Sequence, residues 1–331
     1  MTSVACLSDT FCIAAGGGAN QADLTGTDGA GLTESWDGTA WSDPSTAFPA
    51  PDQPSGPWPV LPVITCTEGP FCVVVEAGGA VTNGDGTDWI APVALPPAPS
   101  VAPNPSDPGP GHPGAREISV ACPSARFCAI VDNTGSIWTW SDGTWLPTRS
   151  FTAPGPGGIG DPVSLYAPGR VGLACPTPSA CTAVIGSTAL DWNGSAWSEE
   201  PVAWGPQPGP TGAAVACPTP SLCAIVTGSA VSVRVGTAAW SPPTSIDPGG
   251  VLDSISCPTA TFCMAADTAG AVVSWDGSTW SAPATVLPAA TEYPGIGTTV
   301  SCTSDQFCMV VNGDGDYATF TGPPTQPAAG P

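Results

Sequence analysis

The chain has 331 residues with 27 acidic and five basic side chains, none of them lysine, for a net charge of −22. That balance argues against nucleic-acid and anionic-membrane partners, since both need basic patches. The 41 glycines and 42 prolines argue against long helices, and no apolar run approaches the ~20 residues of a membrane span.

Fourteen cysteines accompany a single histidine, His112. They fall into seven pairs: Cys6 and Cys12, Cys66 and Cys72, Cys122 and Cys128, Cys175 and Cys181, Cys217 and Cys223, Cys257 and Cys263, Cys302 and Cys308. Zinc sites favour the tighter Cys-x2-4-Cys spacing and often recruit histidine. An even, patterned set with this wider spacing reads as seven disulfides, which places the protein outside the cytosol as a secreted or cell-surface chain. No signal peptide precedes the first pair, so the expectation is a removed secretion signal or a fragment of a longer chain.

Successive first cysteines stand 40 to 60 residues apart, the period of one four-stranded propeller blade with variable loops. The units start near residues 3, 63, 119, 172, 214, 254 and 299. Each has a first strand leading into its first cysteine, as in Ile118–Cys122. A second strand begins at the second cysteine, as in Phe127–Val131. The third is exemplified by Ile137–Trp140, and the fourth opens at Trp145 and runs into prolines. Short β-rich runs bounded by Gly, Pro and Asp support strands throughout.

A second signature lies between strands three and four. It reads SWDGTAW at Ser35–Trp41, NGDGTDW at Asn83–Trp89, WSDGTW at Trp140–Trp145, DWNGSAW at Asp191–Trp197 and SWDGSTW at Ser274–Trp280. Asp-Gly and Asn-Gly accept the positive φ of a tight hairpin. The fifth unit, RVGTAAW, keeps Gly236 and Trp240 but has no Asp, and the seventh, ending in Tyr317–Phe320, has no closing Trp. One aromatic per unit at a fixed position reads as packing between blades in preference to a sugar-stacking platform.

These turns resemble the Asp box of sialidase-like propellers, Ser-x-Asp-x-Gly-x-x-Trp, shortened by one residue. The combined Cys-Pro-x-x-x-Phe-Cys and Trp-Asp/Asn-Gly-x-x-Trp units are similar to repeat proteins secreted by actinobacteria. The fold expected over residues 1–331 is therefore all-β, a single-domain seven-bladed propeller with one hairpin disulfide per blade and a Pro-rich tail at 321–331. A β-helix is the runner-up. The Asp-box resemblance implies that strand one is innermost and strand four outermost.

Strand alternation then puts the disulfide hairpins and the Asp-Gly turns at one end of each blade and the long connections at the other. Asp43–Pro62, Pro92–Ala115, Leu146–Gly169 and the strand-two-to-three stretch Ala15–Gly31 are long, whereas Pro242–Leu252 is short. Long loops on a rigid scaffold are where function concentrates. Trp58, Tyr166, Trp204 and Tyr293 lie in them and are the candidate contacts for a glycan, a protein or a second copy of the chain.

The last unit has no obvious fourth strand, so strand exchange between copies is an alternative that would make the protein self-assembling. Thr321–Gln326 is a poor substitute because of Pro323 and Pro324. A sialidase-like glycoside hydrolase is a further alternative. It would need an arginine cluster, a Tyr/Glu nucleophile pair and an acid, and no three arginines occupy equivalent inner-strand positions. Other glycosidases need paired carboxylates, and the loop acids Asp52, Asp107, Asp161, Glu199, Glu200, Asp247 and Glu292 carry no motif. Arg126 lies beside a cysteine, at the end away from the loops, and His112 reads as an exposed loop residue. No catalytic residue and no cofactor is expected. Calcium is only weakly suggested by Asn83–Gly86 and Asn312–Asp316, where turn formation explains the Asn and Asp residues.

Overall fold

The computed structural model describes residues 1–18, 30–48, 62–76, 79–97, 118–133, 135–141, 143–150, 171–186, 188–202, 213–291 and 297–322, with the backbone alone for Gly18, Ala30, Arg149 and Ser150. The protein is a seven-bladed β-propeller of antiparallel sheets whose strands sit side by side in chain order. Two compact units, Met1–Thr152 and Ala153–Pro331, hold three and four blades.

In the first unit, blade one consists of Ser3–Ser8, Phe11–Gly18, Ala30–Trp36 and Ser45–Phe48. Blade two is Val63–Thr67, Phe71–Val75, Ala80–Gly84 and Val93–Ala94. Blade three is Ile118–Ser124, Phe127–Asp132, Ser136–Ser141 and Thr144–Ser150. In the second unit, blade four is Gly172–Thr177, Ala180–Ile185, Thr188–Trp192 and Trp197–Pro201. Blade five is Ala213–Thr219, Leu222–Thr227, Ala230–Val235 and Thr244–Ser245. Blade six is Leu252–Thr259, Phe262–Asp267, Ala271–Trp275 and Ala284–Thr285. Blade seven has three strands among the described residues, Thr299–Ser304, Phe307–Val311 and Tyr317–Thr321.

The second strand of each blade is apolar without alternation because both of its faces are covered. Val73, Val74 and Val75 of blade two show this. Val74 joins Ile13 and Phe48 of blade one, while Val73 and Val75 join Ile118, Val120 and Trp138 of blade three. In the second unit Val226 packs with Leu252 and Ile255 of blade six, and Ile225 with Val184 and Val202 of blade four. The core is therefore a series of interfaces between neighbouring blades. Each fully buried Val or Ile side chain contributes roughly 1.5–3 kcal/mol.

Serines stitch neighbouring first strands together. Ser3 Oγ accepts from the Ile64 N–H at 3.2 Å, and Ser254 and Ser256 accept from Val300 and Cys302 at 3.1 and 2.9 Å.

All seven cysteine pairs are bonded as the spacing predicts. In the first unit Cys6 is joined to Cys12, Cys66 to Cys72 and Cys122 to Cys128. In the second, Cys175 is joined to Cys181, Cys217 to Cys223, Cys257 to Cys263 and Cys302 to Cys308. Their Cα separations are all 4.0–4.1 Å. Each bond ties the first strand to the second across their hairpin. The second cysteines Cys12, Cys72, Cys128, Cys181, Cys223 and Cys308 are at most 3% exposed, so these sulfurs serve the core and are not available as metal ligands.

The fourth strands differ from expectation. In blades one, two, five and six the strand does not open at the closing Trp. A single bridge in three of them (Trp36 with Trp41, Gly84 with Trp89, Trp275 with Trp280) is followed by a break before Ser45, Val93 or Ala284. Pro44, Pro92, Pro242, Pro243 and Pro283 fall in these breaks. Proline has no N–H to give to the ladder and is confined to such edge positions. The stretch Ala15–Gly31 is also shorter as a loop than expected, since pairing continues to Gly18 opposite Ala30.

Replacing the blade-six pair, Cys257→Ala with Cys263→Ala, should lower stability by about 2 kcal/mol on the loop-entropy argument. The shift of the urea midpoint at unchanged m-value measures it.

Candidate binding surface

Each blade has two chemically different ends. At the first, the disulfide hairpin meets the turn between strands three and four. Asp37, Asp85, Asn193 and Asp276 organise that turn in blades one, two, four and six. Each Oδ1 accepts the N–H of the second and third residues onward and the hydroxyl of the second, at 2.7–3.0 Å. The glycine after each of them has φ between 91° and 100°, which a Cβ would oppose. Gly38 and Gly277 sit against Thr10 and Thr261 of the disulfide hairpins. Trp36 Nε1 donates to Asp9 O and Trp192 Nε1 to Pro178 O, locking turn to hairpin.

The tryptophans that flank these turns are packing elements. Trp36, Trp145, Trp197 and Trp240 are buried, and the pairs flanking the turns meet at tilted angles with centroids 5.5–5.8 Å apart. Trp89 Nε1 reaches Thr33 of blade one and Trp138 Nε1 reaches Pro96 O of blade two.

Blade five departs from this pattern. Opposite the second cysteine stand Trp36, Trp140, Trp192 and Trp275 in blades one, three, four and six, but Arg234 in blade five. Its guanidinium lies over the Trp240 ring at 4.6 Å, a cation–π contact in place of the usual ring pair. It also crosses to blade four. Nη1 and Nη2 donate to the two oxygens of Asp191 at 2.5 and 2.6 Å, Nη1 to Glu200 Oε2 at 3.1 Å and Nη2 to Thr182 Oγ1 at 3.0 Å. These bonds, led by Asp191, hold the guanidinium pKa above its usual value. Asp191 occupies the strand position that holds Ser35 in blade one and Ser274 in blade six.

At the opposite end the strand-two-to-three turns also use side-chain oxygens. Asp267 Oδ1 accepts from the Ala269 and Ala271 amides, Asn312 Oδ1 from those of Asp314 and Asp316, and Asp132 Oδ1 from Ser136. The apolar-apolar-Asp/Asn-x-x-Gly pattern that marks them is visible in the sequence at Asp132, Asp267 and Asn312. Burial raises the pKa of Glu76 at the equivalent position of blade two.

Asn312 Nδ2 donates to Pro288 O and Asp316 Oδ2, and Asp314 Oδ2 accepts from Thr291. The oxygens of this candidate calcium turn are thus spent on the turn itself and its neighbour. No group of three or more His, Cys, Asp or Glu is placed to hold a metal among the described residues.

The strand ends that bracket residues 49–61, 98–117 and 203–212 all lie at this second end. The candidate contacts Trp58, Tyr166, Trp204 and Tyr293 lie outside the described residues, as do His112, Asp52, Asp107, Asp161 and Glu292. Arg126 is exposed in the disulfide hairpin of blade three, Glu199 is exposed on a fourth strand and Glu200 is engaged by Arg234.

No family model matches the chain, and no curated protein matches it. Solved structures share its fold. A YCF48 protein bound to a D1 peptide is 12% identical, with 97% of this chain and 92% of that chain covered at a TM-score of 0.58. U3-55K is 10% identical, with 94% and 88% covered and a TM-score of 0.62. Virginiamycin B lyase from Staphylococcus aureus is 10% identical, with 88% and 87% covered and a TM-score of 0.58. At such identities the likeness is one of fold.

The turn bonds hold the Asp85 and Asp276 carboxyls down at about 2, below the ordinary value of an unfolded Asp. Their stabilisation is complete above about pH 4 and disappears as pH falls through about 2. Asp276→Asn, which copies Asn193, should keep the turn and remove its share of that acid dependence, as read by acid unfolding followed by near-UV circular dichroism.

Arg234→Ala should cost about 2 kcal/mol, because it strands the Asp191 carboxylate between two blades. A double-mutant cycle with Asp191→Ser should recover part of that loss.

Proposed function

We propose that the protein is a non-catalytic binding module of the cell exterior that presents its inter-blade segments to a protein or glycan. The observation that carries this reading is the difference between the two ends of each blade. In each blade one end is closed by a disulfide hairpin, joined in blades one, two, four and six by a short turn whose polar groups are bonded to each other. The other is where every long, Pro-rich stretch of sequence begins and ends. A scaffold rigid at one end and variable at the other suits recognition by loops.

Seven disulfides support an oxidising surrounding, and the charge of −22 favours a neutral or cationic partner. A fold neighbour solved with a bound peptide supports a peptide or protein ligand by analogy of architecture alone. Trp58, Tyr166, Trp204 and Tyr293 are the proposed anchors, since aromatic residues dominate contact energetics.

The test is a glycan-array and cell-surface protein screen with the intact, oxidised protein. Trp58→Ala and Trp204→Ala should weaken the best hit by about tenfold or more, as for contact hot spots. Arg126→Ala, at the disulfide end, should leave it unchanged. Loss of binding on Arg126→Ala with none on the loop variants would overturn the assignment of the loop end.

A further inference from the structure

One buried side chain breaks the repeat in a way that packing does not explain. The connection from blade five to blade six begins with the Ile246 and Asp247 amides donating to Ser229 O, and that from blade six to blade seven with the Val286 and Leu287 amides donating to Gly270 O. Asp247 therefore stands where the next repeat has Leu287, and both are 4% exposed.

Its direction is set locally. Asp247-Pro248-Gly249-Gly250 is a turn closed by the Gly250 N–H on Asp247 O at 3.1 Å, with Gly249 at φ 95°, as a proline-glycine turn demands. The carboxyl folds back over Gly250. A Cβ on that glycine would collide with Asp247 Oδ2 and lie 2.8 Å from Asp267 Oδ2. The two oxygens thus converge on one point that only glycine leaves free.

Among the described residues no N–H or hydroxyl donor reaches Asp247 Oδ2, although the atom is buried. Asp267 uses its other oxygen for the Ala269 and Ala271 amides and is itself 4% exposed. The neighbouring turns Gly228–Ser229 and Thr268–Gly270 bring no ionisable group. The strand from Leu252 adds Asp253, a further acid, and Arg234 is at the opposite end of blade five. Among the described residues no cation faces the pair. Two buried carboxyls so placed cannot both ionise cheaply, and a single shared proton turns repulsion into a hydrogen bond.

We infer that Asp247 and Asp267 form a proton-sharing carboxyl pair that clasps the blade-five-to-six connection onto blade six in acid and loosens it as pH rises. Burial first, and the Asp267 charge second, hold the Asp247 pKa above the ordinary carboxyl value. A group whose folded pKa is raised favours the closed state fully below its open-state pKa of about 3.9, and that preference fades as pH climbs through the folded pKa. The bonds at stake are Leu252 N–H to Gly228 O at 2.7 Å and Thr268 N–H to Val251 O at 2.9 Å. The device operates whatever the loop end binds.

Amide hydrogen exchange tests it. Protection of Leu252 and Thr268, taken as a ratio to Val286 and Leu287 at each pH, should fall as pH rises above about 4. The fall is roughly tenfold for each unit by which the closed and open pKa values differ. Asp247→Asn keeps a donor toward Asp267 Oδ2 and should flatten the ratio, and Asp247→Leu, the repeat's own residue, should flatten it too. A flat ratio in the unmodified protein, or an undiminished slope in both variants, would overturn the proposal. So would protection at pH 7 that rises with added calcium and collapses with a chelator, since the pair would then hold a cation in place of a proton.

Discussion

The structure depends on one constraint: the second strand of a blade has no solvent face. Val73–Val75, Ile130 and Val131, Ile225 and Val226, and Val310 and Val311 are almost wholly buried, and in Val73–Val75 and in Ile225 and Val226 successive side chains turn toward the blades on either side. A blade is therefore not a stable object alone, since its central strand needs a blade on each side to leave water. The apolar runs after the second cysteines, the Ser-to-amide bonds between first strands and the indole bonds to the preceding blade are three expressions of that need.

A core divided among interfaces leaves the blade ends to local chemistry, and the chain treats them differently. At the cysteine end, the disulfides and the Asx-bonded turns satisfy backbone groups within a few residues, so segment length is tightly limited. At the other end, the first residues past the strands are also held by buried Asp and Asn side chains. The connections between blades vary in length, from the short Ile246–Val251 segment to the long stretch between Ala94 and Ile118.

Blade five shows what a repeat can exchange without loss of the fold. Arg234 takes a tryptophan's place, keeps contact with the ring of Trp240 and finds two carboxylates in blade four. That substitution is compensated by neighbours of opposite charge. Asp247 is the contrasting case, because a buried acid in a leucine's place meets, among the described residues, a second acid and no cation. A compensated change reads as an alternative way to pack, whereas an uncompensated one calls for a chemical role.

Much of this was legible in the amino-acid sequence, and what was legible is local. Seven Cys-x5-Cys pairs, from Cys6 with Cys12 to Cys302 with Cys308, determined seven hairpins. The apolar runs after them determined the central strands, and Asp-Gly or Asn-Gly determined the turns, because each depends on residues within about ten positions of one another. The unfamiliar RVGTAAW turn marked blade five as different without saying why. Where the fourth strands begin was decided by prolines competing with the ladder, and the sequence pattern alone placed them too early. Only the tertiary structure paired Arg234 with Asp191 in another blade and turned Asp247 toward Asp267. Those encounters depend on how blade surfaces meet, and no spacing along the chain encodes which side chain will face which across an interface.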